Sequence, residues 1–89
     1  AREKRRKRLL AEGERRVQEQ LRALEQAIAD AEARTAHLTA RMGEPEVYRD
    51  GERAARVARE HREIEQDLEA LYLEWAELTQ AAEAGYESV

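Results

Sequence analysis

The sequence predicts an all-α fold in which two long helices form an antiparallel coiled-coil hairpin with a short Pro-containing turn at the tip. The first observation is a run of apolar or small residues, Val17, Leu21, Leu24, Ile28, Ala31, Thr35, Leu38 and Met42, whose steps of four and three alternate without a slip. A second run does the same: Ala54, Val57, His61, Ile64, Leu68, Leu71, Trp75, Leu78 and Ala82. Such spacing keeps one stripe of a helix turned toward a partner, the a/d seam of a coiled coil. Between the runs lies the break Met42-Gly43-Glu44-Pro45. So short a connection returns the second helix antiparallel along the first.

Composition narrows the class. The chain has 89 residues, 40% of them charged, with one Trp and no Phe, too little apolar material for a globular core but enough for a two-helix seam. A disordered chain of this polarity would not hold one heptad phase across two separate stretches. No apolar stretch approaches the roughly 20 residues needed to cross a bilayer. The start, Ala1-Arg2-Glu3-Lys4-Arg5-Arg6, carries cations but no apolar segment follows, as a secretory signal requires. There is no Cys, so disulfides and thiolate metal sites are excluded and a cytoplasmic location is expected. A first residue other than Met is expected of a fragment of something larger.

The elements follow from local chemistry. The first helix is expected from about Glu3 to Met42, stopping at Gly43 in a left-handed C-cap with Pro45 unable to continue the ladder. Pro45 to Tyr48 suit one extra helical turn with Pro at its first position. Asp50 is the expected N-cap of the second helix, with Glu52 favoured in its first turn. That helix is expected to reach Ala84 and stop at Gly85. The organisation expected is a basic connector and helix overhang at 1–16, a hairpin at 17–84 with its hinge at 43–50 and second helix at 51–84, and a disordered tail at 85–89. Glu12 with Arg16, Asp30 with Arg34 and Glu52 with Arg56 are spaced for intrahelical ion pairs, worth ~0.2–0.5 kcal/mol each.

Two registers place a positions against d positions. One sets Thr35 against Ile64, Ala31 against Leu68, Leu24 against Trp75 and Val17 against Ala82, so that small mostly meets large. The other, one heptad away, sets Ala31 against His61 and Leu38 against Ala54, leaving thin layers. The first is therefore expected. It leaves about ten N-terminal residues without a partner helix. Gly13 and a core-phase Glu14 weaken the seam there, the glycine by ~1 kcal/mol relative to Ala, and residues 1–10 are expected to fray unless something holds them.

A net charge of −4 conceals segregation. Residues 1–16 hold eight Lys/Arg against three acids, whereas Glu63 to Val89 hold eight acids and no Lys or Arg. The hairpin is thus expected to have a basic base, an acidic shaft and an arginine-rich tip. Lys4, Arg5, Arg6, Lys7 and Arg8 are five consecutive cations, followed by Arg15 and Arg16. They repel one another unless an anionic partner is near, although a solvated linker also accommodates them. Arg49, Arg53, Arg56, Arg59 and Arg62 spread over one side of the second helix near the tip, suited to bidentate phosphate contact. Ion pairing with Asp50, Glu52, Glu60 and Glu63 is the other reading of that surface. Catalytic and metal motifs are missing: no Gly-rich phosphate loop, His-Glu-x-x-His pair or nucleophile elbow occurs. His37 is in an exposed phase and His61 on the seam, so the two do not converge on a metal.

Glu44-Pro45-Glu46-Val47-Tyr48, an Arg/Ala-rich helix start, and the stretch from Ile64 to Leu78 with Leu68, Leu71, Tyr72, Trp75 and Leu78 together resemble the C-terminal domain of ABC-F ATPases, including the Uup type. The resemblance covers about Val17 to Thr79, and Tyr48 and Trp75 are its specific part. It implies a two-helix coiled coil that binds rather than catalyses: ABC-F proteins act on ribosomes in translation, and the Uup-type domain is associated with DNA. It also implies ATPase cassettes in cis, with ATP and magnesium belonging to them and not to this chain. The Leu-Ser-Tyr-Lys connector of the Uup type is missing, which leaves open both the branch and the choice between DNA and ribosomal RNA. The phosphate-binding residues expected are Lys4, Arg5, Arg6, Lys7, Arg8, Arg15, Arg16, Arg49, Arg53, Arg56 and Arg59. A structural or protein-docking hairpin remains the alternative. A monomer is expected, although Tyr72 and Leu73 beside Trp75 would suit a second contact face.

Overall fold

The computed structural model describes residues 1–87. Its elements are α1 (Arg2–Met42), α2 (Pro45–Tyr48) and α3 (Gly51–Glu87), and the described residues contain no strand. The two long helices lie against each other as a hairpin 70 × 16 × 14 Å, with a radius of gyration of 20.2 Å. A compact domain of this length would measure about 12 Å, so the molecule is a rod.

Every residue of the two heptad runs is at least partly buried except Trp75, which stands at the boundary with 36% exposure. Its indole Nε1 donates to Glu25 Oε1 across the hairpin at 3.3 Å. Glu25 adjoins Leu24, and Thr39, which adjoins Leu38, meets His61 Nε2 at 3.1 Å. Both pairs lie one residue from the register that opposes Leu24 to Trp75 and Leu38 to His61. The alternative register, a heptad away, is excluded by these contacts.

The core sits at the tip. Leu38, Val47 and Val57 are almost fully buried at 1%, 1% and 4% exposure, with Met42 and Ile64 packed against them. Two helices alone leave the outer flank of a seam residue open to water, as the half-buried shaft shows. Here α2 folds over the seam and Val47 closes that flank. Its position depends on Pro45. A residue before proline is driven to extended backbone, and Glu44 has φ −80 and ψ 131. The chain then re-enters helix with Pro45 in the first turn, where its missing N–H costs nothing.

The stop of α1 differs from expectation. Gly43 is right-handed, φ −85 and ψ −5, because the extended Glu44 already ends the helix and no left-handed reversal is required. The amides of Gly43 and Glu44 close on the carbonyls of Ala40 and Arg41 at 3.1 and 3.0 Å. Asp50 is the N-cap of α3, its Oδ1 accepting from the amides of Glu52 and Arg53 at 3.1 and 3.3 Å. At the far end α3 passes through Gly85 to Glu87 and no glycine has positive φ. The expected stop at Gly85 and a tail beginning there are therefore corrected: glycine permits a helix to end but does not force it to. Residues 88 and 89 lie outside the described residues. The N-terminal overhang is helical from Arg2 and exposed throughout residues 1–10.

Three substitutions test this account by urea denaturation followed through helical circular dichroism. Leu38→Ala should cost ~2–5 kcal/mol, whereas Leu73→Ala, at a position 61% exposed, should stay within ~0.5 kcal/mol of the parent. Gly43→Ala should cost nothing or stabilise by ~0.4–1 kcal/mol, since an added Cβ meets only Ala40 O at 3.5 Å. A loss of stability in Gly43→Ala would show that the turn does need glycine.

Candidate nucleic-acid interface

Heptad packing leaves every Lys and Arg outside the seam, and all but Arg22 fall in residues 1–16 and 34–62, toward the two ends of the hairpin. At the base, Lys4, Arg5, Arg6, Lys7 and Arg8 occupy consecutive positions of α1, so at about 100° per residue they surround the helix on all sides. All five are exposed. Among the described residues none has an ion-pair partner, nor has Arg15 or Arg16. Beside them, Leu9 and Leu10, 59% and 45% exposed, form with Gly13, Val17, Ala82 and Gly85 an open apolar groove of about 540 Å³. Gly13 and Glu14 contribute nothing that fills the seam there, which is why it opens.

The tip arginines divide. Arg53 Nε lies 3.6 Å from Asp50 Oδ2, and the Arg49 guanidinium lies over the Tyr48 ring, 5.9 Å from its centroid, a cation–π contact. Arg56 and Arg59 are exposed and, among the described residues, have no ion-pair partner. A further cation comes from the opposite helix: Arg41 joins Arg53, Arg56, Val57 and Glu60 around a hollow of about 420 Å³. Arg41 was not expected there. The signal lay in the register, which puts its neighbour Met42 opposite Val57. Glu60 is held by Arg34, with Nη2 to Oε2 at 2.9 Å and both side chains half exposed. Arg34 thus reaches across the hairpin and not back to Asp30, which accepts from Gln26 Nε2 at 3.0 Å.

His61 is a bonded seam residue. Its Nδ1 lies 2.8 Å from Glu65 Oε1 and its Nε2 faces Thr39 Oγ1, with the side chain 19% exposed. Thr39 in turn donates to Thr35 O at 2.9 Å. The described residues contain no group of three or more His, Cys, Asp and Glu able to hold a metal ion, and no helix long and apolar enough to cross a membrane.

Among the described residues, Tyr72 on the acidic shaft is a perturbed group. The Tyr72 hydroxyl donates to the Glu32 carboxylate of α1. That bond, assisted by desolvation and by the charge of Glu32, raises the Tyr72 pKa above its ordinary value of 10.0, because ionising the phenol would set two anions together.

Residues 13–80 match the family model described as the ABC transporter C-terminal domain. No curated protein and no solved structure matches the chain.

A raised tyrosine pKa contributes stability that is fully present below pH 10 and is lost as pH rises through the raised value. Thermal melts of the parent between pH 9 and 12 should therefore fall more steeply than those of Tyr72→Phe. Parallel curves would mean that the Tyr72–Glu32 bond does not form in solution.

Proposed function

Because the chain belongs to the ABC transporter C-terminal domain family, we propose that it works as the non-catalytic nucleic-acid-binding arm of an ABC-F ATPase of the Uup type, located in the cytoplasm. Its ligand is the phosphate backbone of DNA or ribosomal RNA. The observation that carries this reading is the set of exposed cations from Lys4 to Arg8, without ion-pair partners among the described residues. Arg15 and Arg16 extend that set, and Arg49, Arg53, Arg56 and Arg59 provide a second at the tip. Between them the acidic shaft repels phosphate, so contact falls at the ends of the rod.

Such contact needs no base reading. Each phosphate neutralised by Lys or Arg releases condensed counterions, and the affinity gained is independent of sequence. The rise of α1 places Arg6 and Arg41 roughly 50 Å apart, so one duplex of roughly 15 base pairs, at 3.4 Å each, is long enough to touch both ends. In this reading ATP and magnesium belong to cassettes in cis, as membership of a C-terminal domain family of ABC proteins suggests. The arm acts on the cassettes through the polymer it anchors, during translation if the ligand is ribosomal RNA.

One observation favours a second reading, a protein-docking hairpin: Tyr72 and Leu73 are 46% and 61% exposed on the acidic shaft. A partner seated there would ignore the basic base.

Titration of the 89-residue chain against duplex DNA, single strands and ribosomal RNA at several salt concentrations separates the two. Substituting Arg5, Arg6 and Arg8 with Gln should weaken binding and flatten the log affinity against log salt slope by about 2.7 on a duplex, or about 2.1 on a single strand. Unchanged affinity and slope, with helicity intact, would remove the nucleic-acid reading. A protein partner captured equally well by the Leu73→Ser variant and the parent would count against the second.

A further inference from the structure

The hollow at the tip has a composition that ion pairing within the hairpin does not explain. Three guanidinium side chains, Arg41, Arg53 and Arg56, line it together with one acid, Glu60. That acid already holds Arg34 at 2.9 Å, and Arg53 has Asp50 at 3.6 Å. Arg41 and Arg56 are thus left, among the described residues, with no anionic partner. Both are rooted on rigid structure: Arg41 precedes Met42, which packs on the tip core, and Arg56 precedes Val57, which is 4% exposed. Like charges anchored around one concavity repel unless an anion lies between them. The volume, about 420 Å³, is ample for a phosphate group.

We propose that this hollow seats a single phosphate group, gripped by Arg41 from α1 and Arg56 from α3, so that binding an anion at the tip also clamps the two helices together. Guanidinium is the side chain for this task. Its planar fork matches two phosphate oxygens at once, and two such forks on opposite walls satisfy all the exposed oxygens of a phosphodiester. Val57, 4% exposed, lies between the arginines in the lining and anchors that part of α3 to the tip core. The nucleic-acid reading above makes the phosphate a backbone phosphate. An inorganic phosphate ion has the same chemistry, and the two sources are separated by the experiment.

The clamp has a signature that scattered surface cations lack. Two arginines on one phosphate are coupled, so losing either releases the same contact. On duplex DNA, Arg41→Gln and Arg56→Gln should each flatten the log affinity against log salt slope by about 0.9, and the double substitution should flatten it by about 0.9 again and not by about 1.8. Arg59→Gln, outside the hollow, should add to either. In parallel, inorganic phosphate should raise the Tm of the parent by about 4–8 °C once it exceeds its Kd roughly fivefold. Chloride at equal ionic strength should not, and neither single variant should respond.

Additive slope losses, or a Tm that responds to phosphate and chloride alike, would overturn the clamp. Arg41-dependent stabilisation by phosphate in a chain that binds no polynucleotide would keep the clamp, identify its ligand as a free phosphate, and overturn the nucleic-acid arm instead. Polynucleotide binding with unaltered slope in Arg41→Gln would do the reverse.

Discussion

Packing of Leu38, Val47 and Val57 at the tip is the interaction on which the rest of the rod depends. A seam between two helices leaves its larger side chains with one flank in water, and along the shaft only the small Ala31 is buried among the described residues. The third wall comes from a single turn, α2, held over the seam by the extended Glu44 and the fixed φ of Pro45. Once Val47 is in place, α1 and α3 have only one axial offset. All other pairings along the rod, from Thr39 with His61 to Trp75 with Glu25, follow from that offset.

The same offset distributes charge. Seam positions are filled by apolar or small residues and His61, with no Lys, Arg, Asp or Glu among them, so the charged 40% of the chain faces outward, and the order of charges along the sequence becomes an order along the rod. Acids of Glu63 onward line the shaft of α3, and from the same helix Tyr72 donates across the hairpin to Glu32 of α1. Cations, Arg22 apart, are left toward the two ends. At the base they surround a helix that extends beyond its partner; at the tip Arg41 of α1 joins Arg53 and Arg56 of α3 around one hollow. Membership of the ABC transporter C-terminal domain family makes the chain an accessory domain of an ABC protein.

Much of this was legible in the residues. Seventeen seam positions follow from steps of three and four alone, and all but Trp75 are at least half-buried or better in the fold. The hinge turn, the Asp50 cap and the axial register were also readable, the last because side-chain volumes on facing layers must be complementary. Where reading failed, a local signal had been given tertiary weight. Gly43 and Gly85 are common helix terminators, yet Gly43 stays right-handed and α3 runs past Gly85. Only the proline two residues after Gly43 enforces a stop. Asp30 was a good intrahelical partner for Arg34, but Glu60 of the facing helix lay within reach.

By itself, then, the sequence determined the helices, their hairpin and the order of charge along it, because periodicity and net charge are properties of the chain taken one segment at a time. What only the tertiary structure decided was which groups from distant segments meet. Val47 completes the core, and Arg41 joins Arg53 and Arg56 across a gap. Neither residue belongs to a seam run, and no spacing rule within one helix reports what a folded-back neighbour brings to its side.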